Sequence, residues 1–226
     1  MKVQKPLVIL ILLFPSILFL NSCHNFIEGA GDITPSTVNI PNSVPITEIE
    51  LKSDFTVYLS RDTSCFITVQ GYENLVSHVT VGGLSPKLEI GTEADYVLQN
   101  SNIVIYISAP NFTSIKLSSG GSIISTDSII SNTLEVTNNG TGTISLFGDA
   151  NILNAYSASS GATRLCAFQA DTVTAYMFGS GILSTKPIGK LNAQISGSGQ
   201  IQYIGSPTLS FSITGTGSLL QTLGCY

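Results

Sequence analysis

Apolar and polar residues alternate in short runs along most of the chain after residue 48. Examples are Thr56–Leu59, Phe66–Val69, Lys87–Ile90 and Ile103–Ile107. An alternation with a period of two predicts β-strands that are buried on one side. No segment has the 3.6-residue spacing of an amphipathic helix, and Gly or Pro interrupts the chain too often for long helices. The pattern therefore predicts an all-β fold of short strands.

One sequence unit recurs from Phe112 onward. It consists of an alternating apolar run, a cluster of small residues that ends in glycine, and a second alternating run. The glycines that close the units follow one another at a nearly constant spacing, and they are Gly121, Gly142, Gly161, Gly181, Gly199 and Gly217. A solenoid requires such a period, because each coil must stack in register on the next. We expect a right-handed parallel β-helix, or β-solenoid, with rungs of about 18–21 residues.

The repeated glycines are expected to stack at one corner of the coil. There the backbone would need either a positive φ or a close approach that a Cβ would prevent. Gly197-Ser198-Gly199 also has the spacing of a phosphate-binding loop, but such loops need a helix on their C-terminal side. Because more strand follows here, starting at Gln200, we predict structural turns.

The N-terminus has the pattern of a secretory signal peptide. Lys2 and Lys5 precede the segment 7–20, in which twelve of fourteen residues are apolar. A helix that crosses a membrane needs about 20 apolar residues, so this run is too short to be a retained span. We therefore assign residues 1–22 to a signal peptide that export removes.

Leu20-Asn21-Ser22-Cys23 resembles a bacterial lipobox, in which the cysteine is diacylated and becomes the first residue of the mature protein. Two or three acyl chains anchor a protein stably to a membrane, whereas a single acyl chain gives only marginal binding. Cys23 is thus the predicted lipidation site, and palmitate is a typical acyl group. Resemblance to the sorting rule, in which Asp after the cysteine retains a lipoprotein at the inner membrane, implies an outer-membrane destination, since His24 stands there. The side of that membrane is left undecided.

Residues 23–47 are predicted to be the lipidated N-terminus and a flexible tether, because Gly and Pro are frequent and no period is visible. Residues 48–226 are then the β-helix domain. An alternative is that part of the tether, especially Val44–Leu51, already belongs to the first strand.

Composition excludes several classes of function. The net charge is -5, and removal of residues 1–22 with their two lysines makes it -7, which disfavours nucleic-acid binding. With two histidines and no Cys-x-x-Cys, the chain has little from which to build a metal site, and no cofactor is expected. Beside Cys23, three cysteines remain, and their number and spacing leave any disulfide pairing open: Cys65, Cys166 and Cys225.

The closing rungs resemble those of the bacterial auto-transporter adhesin family with a head GIN domain. The resemblance rests on Ser196–Gly199 with Ile201–Pro207, on Thr214–Gly217, and on the earlier segments Ile67–Leu75 and Ile105–Pro110. It covers about residues 49–220 and implies a right-handed parallel β-helix in a secreted or lipid-anchored protein. Ser119 and Ser159 depart from the pattern, because they stand where the first glycine of the corner is usual. The family supplies no catalytic residues to carry over.

Two functions follow as hypotheses. The first is a lipid-anchored, non-catalytic binding or scaffold module of the cell envelope that contacts a protein or a glycan. The alternative is a polysaccharide-processing enzyme, for which Asp149 and Asp171, about one rung apart, are the one carboxylate pair near the stacking register. A solvated turn is the more ordinary explanation for each aspartate.

Other polar and aromatic residues are expected to have structural or solvated roles. His78 is assigned to an exposed strand position, and Arg61 and Arg164 to solvated positions of the rungs. Tyr156 and Tyr176 recur at one offset, which favours packing in the core or in a ladder over sugar binding. The C-terminal coil has no visible helical cap, so residues 219–226 cover it or it pairs with a partner, and an oligomer is possible.

Overall fold

A computed structural model of the protein describes residues 25–38 and 45–224. The chain is 64% strand and 2% helix and forms a β-solenoid of about five turns, which confirms the predicted fold class. The elements are β1 (Asn25–Glu28), β2 (Ile33–Val38), β3 (Glu48–Leu51), β4 (Thr56–Arg61), β5 (Phe66–Tyr72), α1 (Glu73–Val76), β6 (Val79–Gly82), β7 (Lys87–Thr92), β8 (Tyr96–Gln99), β9 (Val104–Ala109), β10 (Ser114–Leu117), β11 (Ser122–Ser125), β12 (Ile129–Asn138), β13 (Thr143–Ser157), β14 (Ala162–Met177), β15 (Ile182–Ile195), β16 (Gln200–Tyr203), β17 (Thr208–Ile213) and β18 (Ser218–Gln221).

Successive coils stack with the period that the glycines define. The Cα partners along one side are Ser114, Glu135, Asn154, Thr174, Asn192 and Ser210. Their positions advance along the chain in the same steps as the closing glycines, from each coil to the next. The repeat in the sequence is therefore the stacking register itself.

The core is a set of apolar ladders inside the coil. One ladder contains Leu134, Leu153, Val173 and Leu191, which are fully buried. The ladder two residues further along contains Val136 and then three alanines. Burial of one such leucine or valine contributes about 1.5–3 kcal/mol, so each added coil brings its own stabilisation.

The first rung does not lie at the end of the stack. β3 pairs with both β7 and β10, and β4 pairs with both β9 and β11. Residues 48–61 therefore lie between a coil made from residues 87–109 and a coil that begins after residue 112. Chain order and spatial order agree only from the second of these coils onward.

The N-terminal end of the coil is covered by additional strands. β5 lies antiparallel on β9, β6 lies antiparallel on β7, and β1 lies parallel on β8. β2 in turn pairs antiparallel with β5. The predicted flexible tether is therefore wrong for residues 25–28 and 33–38, which are strands of the folded domain.

The C-terminal end is built differently. β17 pairs only with β15, and β18 pairs only with β16, so each is an edge strand in the part of the chain that the structure describes. All six residues of β17 are exposed, among them Leu209 at 40%, Phe211 at 60% and Ile213 at 41%. Leu219 is half-buried and Leu223 is fully exposed, so the described residues of this segment do not cover β17.

Candidate binding face

One side of the solenoid carries two rows of outward-facing side chains. We call this surface, formed by β10, the C-terminal parts of β12–β15, and β17, the tyrosine face. The first row continues from Ser114 and the second from Lys116, and together they contain Ser114, Glu135, Asn154, Thr174, Asn192, Ser210, Lys116, Thr137, Tyr156, Tyr176, Gln194 and Ser212. Stacked parallel strands make this surface long and flat.

Tyr156 and Tyr176 form a ladder on this face. Their ring centroids are 4.8 Å apart with an angle of 2° between the planes, and Phe178 lies 5.9 Å from Tyr176 on a nearly parallel plane. The expected ladder is thus formed, but on the outer surface and not in the core. Burial raises the pKa of Tyr156, with smaller contributions from Glu135 and Tyr176. Because each ring covers a face of the other, the pair presents mainly its edges and hydroxyl groups to a ligand.

A shallow depression lies beside Tyr176. Its volume is about 320 Å³, and most of its lining residues carry amide or hydroxyl groups, with Ala193 and Phe211 as the apolar members; the residues are Thr174, Tyr176, Asn192, Ala193, Gln194, Ser210, Phe211 and Ser212. None of them is ionisable near neutral pH. The depression therefore offers hydrogen-bond donors and acceptors without a net charge.

Charge in the two rows of the tyrosine face is confined to the first two coils. Glu135 lies in the first row, and Lys116 contacts Glu50 at 3.0 Å. Beyond Glu135, the two rows carry no charged side chain, and exposed Lys190 on β15 lies beside them, two positions before Asn192. The middle of the two rows is therefore compatible with an uncharged polar partner.

Glu50 is the centre of a charge network that the sequence analysis did not identify. Its side chain is 6% exposed and contacts Lys87 Nζ at 2.5 Å and Lys116 Nζ at 3.0 Å, while Ser118 Oγ donates a hydrogen bond at 3.0 Å. Burial raises the pKa of Glu50, but the hydrogen bonds from Lys87, Lys116 and Ser118 outweigh burial and lower it to about 2. Hydrogen bonds to Glu50 and Glu89 raise the pKa of Lys87.

The network extends to Glu89 and joins three stacked strands. Lys87 Nζ lies 2.8 Å from Glu89, and Lys52 Nζ lies 2.6 Å from the same carboxylate; these hydrogen bonds lower the pKa of Glu89. β7, β3 and β10 are thereby held together at the place where chain order and spatial order differ. The role of this charge network is structural. The only indication of the network in the sequence is that a charged residue, Glu50, stands between the apolar positions Ile49 and Leu51.

The structure places the six predicted glycines at one stacked corner. A Cβ on Gly142 would overlap the carbonyl oxygen of Gly121, and one on Gly181 would overlap that of Gly161. The glycines with positive φ lie elsewhere, at Gly31, Gly83, Gly148 and Gly205 among the described residues. The sequence left open whether these glycines are needed for a positive φ or for a close approach of the backbones. At this corner the reason is the close approach.

Ser119 and Ser159 hold the same corner by hydrogen bonds. Ser119 Oγ donates to the Ser53 carbonyl at 2.7 Å, and Ser159 Oγ donates to the Gly140 carbonyl of the preceding coil. The two departures from the glycine pattern thus add contacts between coils. Their Oγ atoms also accept hydrogen bonds from backbone amides two residues later.

Asn138 completes the corner from inside the coil, and the sequence analysis did not identify it. It is fully buried, its Nδ2 donates to the Gly142 and Ala162 carbonyls at 3.2 Å, and its Oδ1 accepts from Gly140 N at 3.2 Å. A polar residue at an inward position of an alternating strand was the available signal. Such a residue is tolerated because its polar atoms are paired.

Asp149 and Asp171, on which the enzymatic alternative depends, are not stacked on each other. Asp149 pairs in register with Gln169, whose Nε2 donates to it at 3.4 Å. Asp171 falls within the register shift between Ala170 and Thr172. Both side chains are exposed, as expected for solvated aspartates, but they lie within β13 and β14 and not in turns.

The remaining candidates are polar surface positions. His78 lies in a turn before β6 and not in an exposed strand: its Nδ1 is 2.9 Å from Glu93 Oε2, and its ring lies 4.2 Å from that of Tyr96. Arg61 and Arg164 are exposed, as predicted. No group of three or more potential metal ligands occurs among the described residues.

The cysteines differ in state. Cys65 is a free, half-buried thiol beside a cavity of about 380 Å³ between the start of β3, the turn after β4 and the turn after β9. Cys166 is buried and disulfide-bonded. The predicted lipidation site Cys23, the segment 1–22 and Cys225 lie outside the described residues.

The coil and its flat, largely uncharged outer face define the chain as a β-solenoid with an extended outer surface. The family model described as putative auto-transporter adhesin, head GIN domain, matches residues 45–207, and the chain belongs to this family. Membership supports an adhesin-like role and indicates a protein of the cell envelope or cell surface. Neither the family nor the similar structures below are described as enzymes.

Solved structures share the fold at low identity. A putative adhesin from Bacteroides fragilis NCTC 9343 is 19% identical with a TM-score of 0.73, over 87% of this chain and 100% of that one. A putative lipid binding protein from Parabacteroides distasonis ATCC 8503 is 21% identical with a TM-score of 0.58, over 88% and 100%. A putative adhesin from Parabacteroides merdae ATCC 43184 is 16% identical with a TM-score of 0.54, over 87% and 99%.

No curated protein matches the chain. Among the residues that the structure describes, no helix has the length and apolar character that crossing a membrane requires.

Proposed function

We propose that the chain is a non-catalytic, lipid-anchored protein of the cell envelope that binds an uncharged, hydroxyl-rich polymer, such as a neutral glycan, on the tyrosine face. The observation that carries this proposal is the depression beside Tyr176, which is lined by amides and hydroxyls and lacks groups that ionise near neutral pH. Sugar hydroxyls are matched by Asn and Gln side chains, which donate and accept hydrogen bonds at once. The repeat of the rows at each coil suits a ligand that is itself a repeating polymer.

Binding is tested with cells that display the full chain and with immobilised dextran, mannan and xylan as probes. The double variant Asn192→Ala, Gln194→Ala removes two amides from the depression. We expect about a thirtyfold loss of affinity, seen as a loss of retained cells, because each of the two lost hydrogen bonds contributes about 1 kcal/mol.

The matched control removes two amides from another side of the same coils. Gln200 and Gln202 lie on β16, and Gln200→Ala, Gln202→Ala should leave retention unchanged. Failure of the unaltered chain to retain cells on every neutral polysaccharide refutes the glycan proposal. An equal loss in both double variants refutes the assignment to the tyrosine face, and face-dependent binding to a protein alone replaces the glycan by a protein partner.

The lipid anchor is supported by the lipobox resemblance of residues 20–23 and by the short apolar run before it. Metabolic labelling with a palmitate analogue should label the full chain, and Cys23→Ala should abolish the label. Cys65→Ala is the matched control, because Cys65 is a free thiol elsewhere in the protein. Labelling that survives Cys23→Ala contradicts the anchor.

The side of the outer membrane that the domain faces is tested by protease digestion of intact and then permeabilised cells. Digestion on intact cells supports adhesion to partners outside the cell. If the domain resists the protease until the cells are permeabilised, it faces the periplasm, and the role of a periplasmic scaffold replaces that of an adhesin. The polysaccharide-processing alternative is weakened because the register offsets Asp149 from Asp171 by two residues, so the two aspartates are not stacked on each other.

A further inference from the structure

The C-terminal end of the solenoid presents an edge that is ready to pair with another strand. β17 has the sequence Thr-Leu-Ser-Phe-Ser-Ile, and one of its two edges is unpaired within the described residues. Leu209, Phe211 and Ile213 continue the inward ladders of the coil, so their exposed surfaces are those that a further coil would cover. A flat edge strand with alternating apolar residues, no charge and no proline is a template for pairing.

At the opposite end, other strands cover the coil. β1, β5 and β6 cover the last coil there, and the outermost strand, β2, contains Pro35, which has no amide hydrogen to donate. Leu75 of the short helix α1 is fully buried at this end. The two ends therefore differ. At one end the coil strands β7 and β9 are paired on both sides, although the added strands β1, β2 and β6 are themselves paired on one side only, whereas at the other end β17 leaves its apolar ladder uncovered among the described residues.

The chemistry of the open end fits a second copy of this chain. β17 carries no charged side chain, and Lys190, opposite Thr208 on the neighbouring strand β15, is the nearest one in register, so two copies of β17 meet without like-charge repulsion between their own side chains. The exposed ladder Leu209, Phe211, Ile213 is of the type that already packs coil on coil, where Leu191 lies beside Leu209 and Ile195 beside Ile213. Antiparallel pairing on the end of a coil also has a precedent in this molecule, since β5 pairs with β9 in this way.

We propose that two copies of this chain associate through their C-terminal ends, with β17 of one copy pairing antiparallel with β17 of the other. A two-fold axis makes this interface self-complementary. The period-two alternation keeps inward residues opposite inward residues, so Ser210 lies opposite Ser210 or Ser212 of the second copy. Because the N-terminal end is covered, head-to-tail addition is blocked, and the assembly closes as a dimer.

The pairing is expected to be reversible. Stable interfaces bury about 1,200–2,000 Å², and the end of one coil is small by that measure. A covalent trap is therefore the appropriate test. In the full chain carrying Cys65→Ser, Ser210→Cys should give a cross-linked dimer in cell envelopes with a short bismaleimide, because cross-strand Cβ atoms are about 5 Å apart.

The interface is probed with Phe211→Glu, which places one negative charge from each copy close to the two-fold axis and should lower the cross-link yield of Ser210→Cys at least tenfold. The matched control is Phe66→Glu, because Phe66 on β5 is 56% exposed against 60% for Phe211 but lies at the covered end. It should leave the yield unchanged. Protease resistance of both variants verifies that they remain folded.

A second readout does not depend on the glutamate. Phe66→Cys in the same Cys65→Ser background should give no dimer. Absence of the Ser210→Cys dimer, an equal yield from Phe66→Cys, or an unchanged yield with Phe211→Glu overturns the proposal. Cross-linking of Ser210→Cys to a different protein and not to its own copy likewise overturns it and assigns the edge to that partner.

Discussion

At the glycine corner, the backbones of successive coils lie closer together than a Cβ allows. The corner residues have ordinary φ angles, so the requirement comes from the neighbouring coil and not from the conformation of the glycine itself. The strain of an added methyl group would fall on backbone atoms, which cannot rotate away as a side chain can. Substitution should therefore be costly at Gly142 and harmless where a glycine faces open space.

Gly142→Ala is expected to lower the free energy of unfolding by at least about 2 kcal/mol, because the new methyl overlaps the Gly121 carbonyl oxygen. Gly82→Ala is the control, since a Cβ there meets nothing within 4 Å and the φ is ordinary. Urea unfolding measures both. Equal stabilities of the two variants would show that the corner can relax.

Glu50 should make the free energy of unfolding depend on pH in the acidic range. Its pKa is about 2 in the folded protein and near 4.5 otherwise, so the ionised carboxylate stabilises the fold above about pH 4.5. This contribution is lost as the pH falls from about 4.5 to 2. At about 1.36 kcal/mol for each pH unit between the two values, it amounts to about 3 kcal/mol.

Glu50→Gln should therefore destabilise the protein at pH 7 by about 3 kcal/mol and flatten the decline in stability between pH 5 and pH 2. Glu48→Gln, two residues earlier on β3, is the control and should keep the full decline. Urea unfolding at pH 7, 5 and 3 distinguishes the two. A Glu50→Gln protein that loses stability in acid as steeply as the unaltered chain contradicts the assignment.

At the scale of elements, the sequence predicts what lies within one repeat and misses what depends on distant partners. Alternation and glycine spacing identified the rungs from residue 112 onward, and the register follows the same spacing. Residues 33–38 contain a proline and show no alternation of apolar and polar residues. They form a strand only because they pair with the edge of β5, which lies much later in the chain. The insertion of residues 48–61 between two later coils likewise leaves no local signal.

The same distinction applies to the candidate site. Recurrence at one offset predicted the Tyr156 and Tyr176 ladder, but whether the offset points inward or outward depends on where the corners fall. Glu50 and Asn138 were missed because their partners come from other coils. Lys87 and Lys116 reach Glu50 only once the strands have stacked, and the same holds for the Ala162 carbonyl that Asn138 binds.

The edge strands should also differ in dynamics. β14 is paired on both sides over most of its length, whereas β17 is paired on one side and exposed. In hydrogen–deuterium exchange at low protein concentration, amides of β17 should exchange about two orders of magnitude faster than those of β14. Equal protection of the two strands would contradict an open C-terminal edge.

At the scale of the whole molecule, stability is close to a sum over coils, because each coil contacts only its neighbours. Removal of residues 176–193 deletes one full period of the coil and joins Ala175 to Gln194, which preserves the inward and outward alternation. We expect this shortened chain to fold and to unfold cooperatively, at a lower melting temperature than the full chain. Circular dichroism during heating measures it.

The control deletion removes half a coil. Without residues 176–184, Ala175 would precede Thr185, and two inward-facing residues would become adjacent. This chain should not fold. If both deletions melt cooperatively, the register is less strict than the ladders indicate, and if neither does, the coils are not independent units.

The position of residues 48–61 inside the stack has a consequence for the order of assembly. A chain that crosses a membrane from its N-terminus delivers β3 and β4 long before their neighbours, because one flank of that rung needs residues up to 109 and the other needs residues up to 125. The first coil therefore cannot be completed while it emerges. Every later coil can stack on the coil before it, which has already formed. Assembly should thus wait until more than half of the chain has been delivered and then proceed one coil at a time toward the C-terminus.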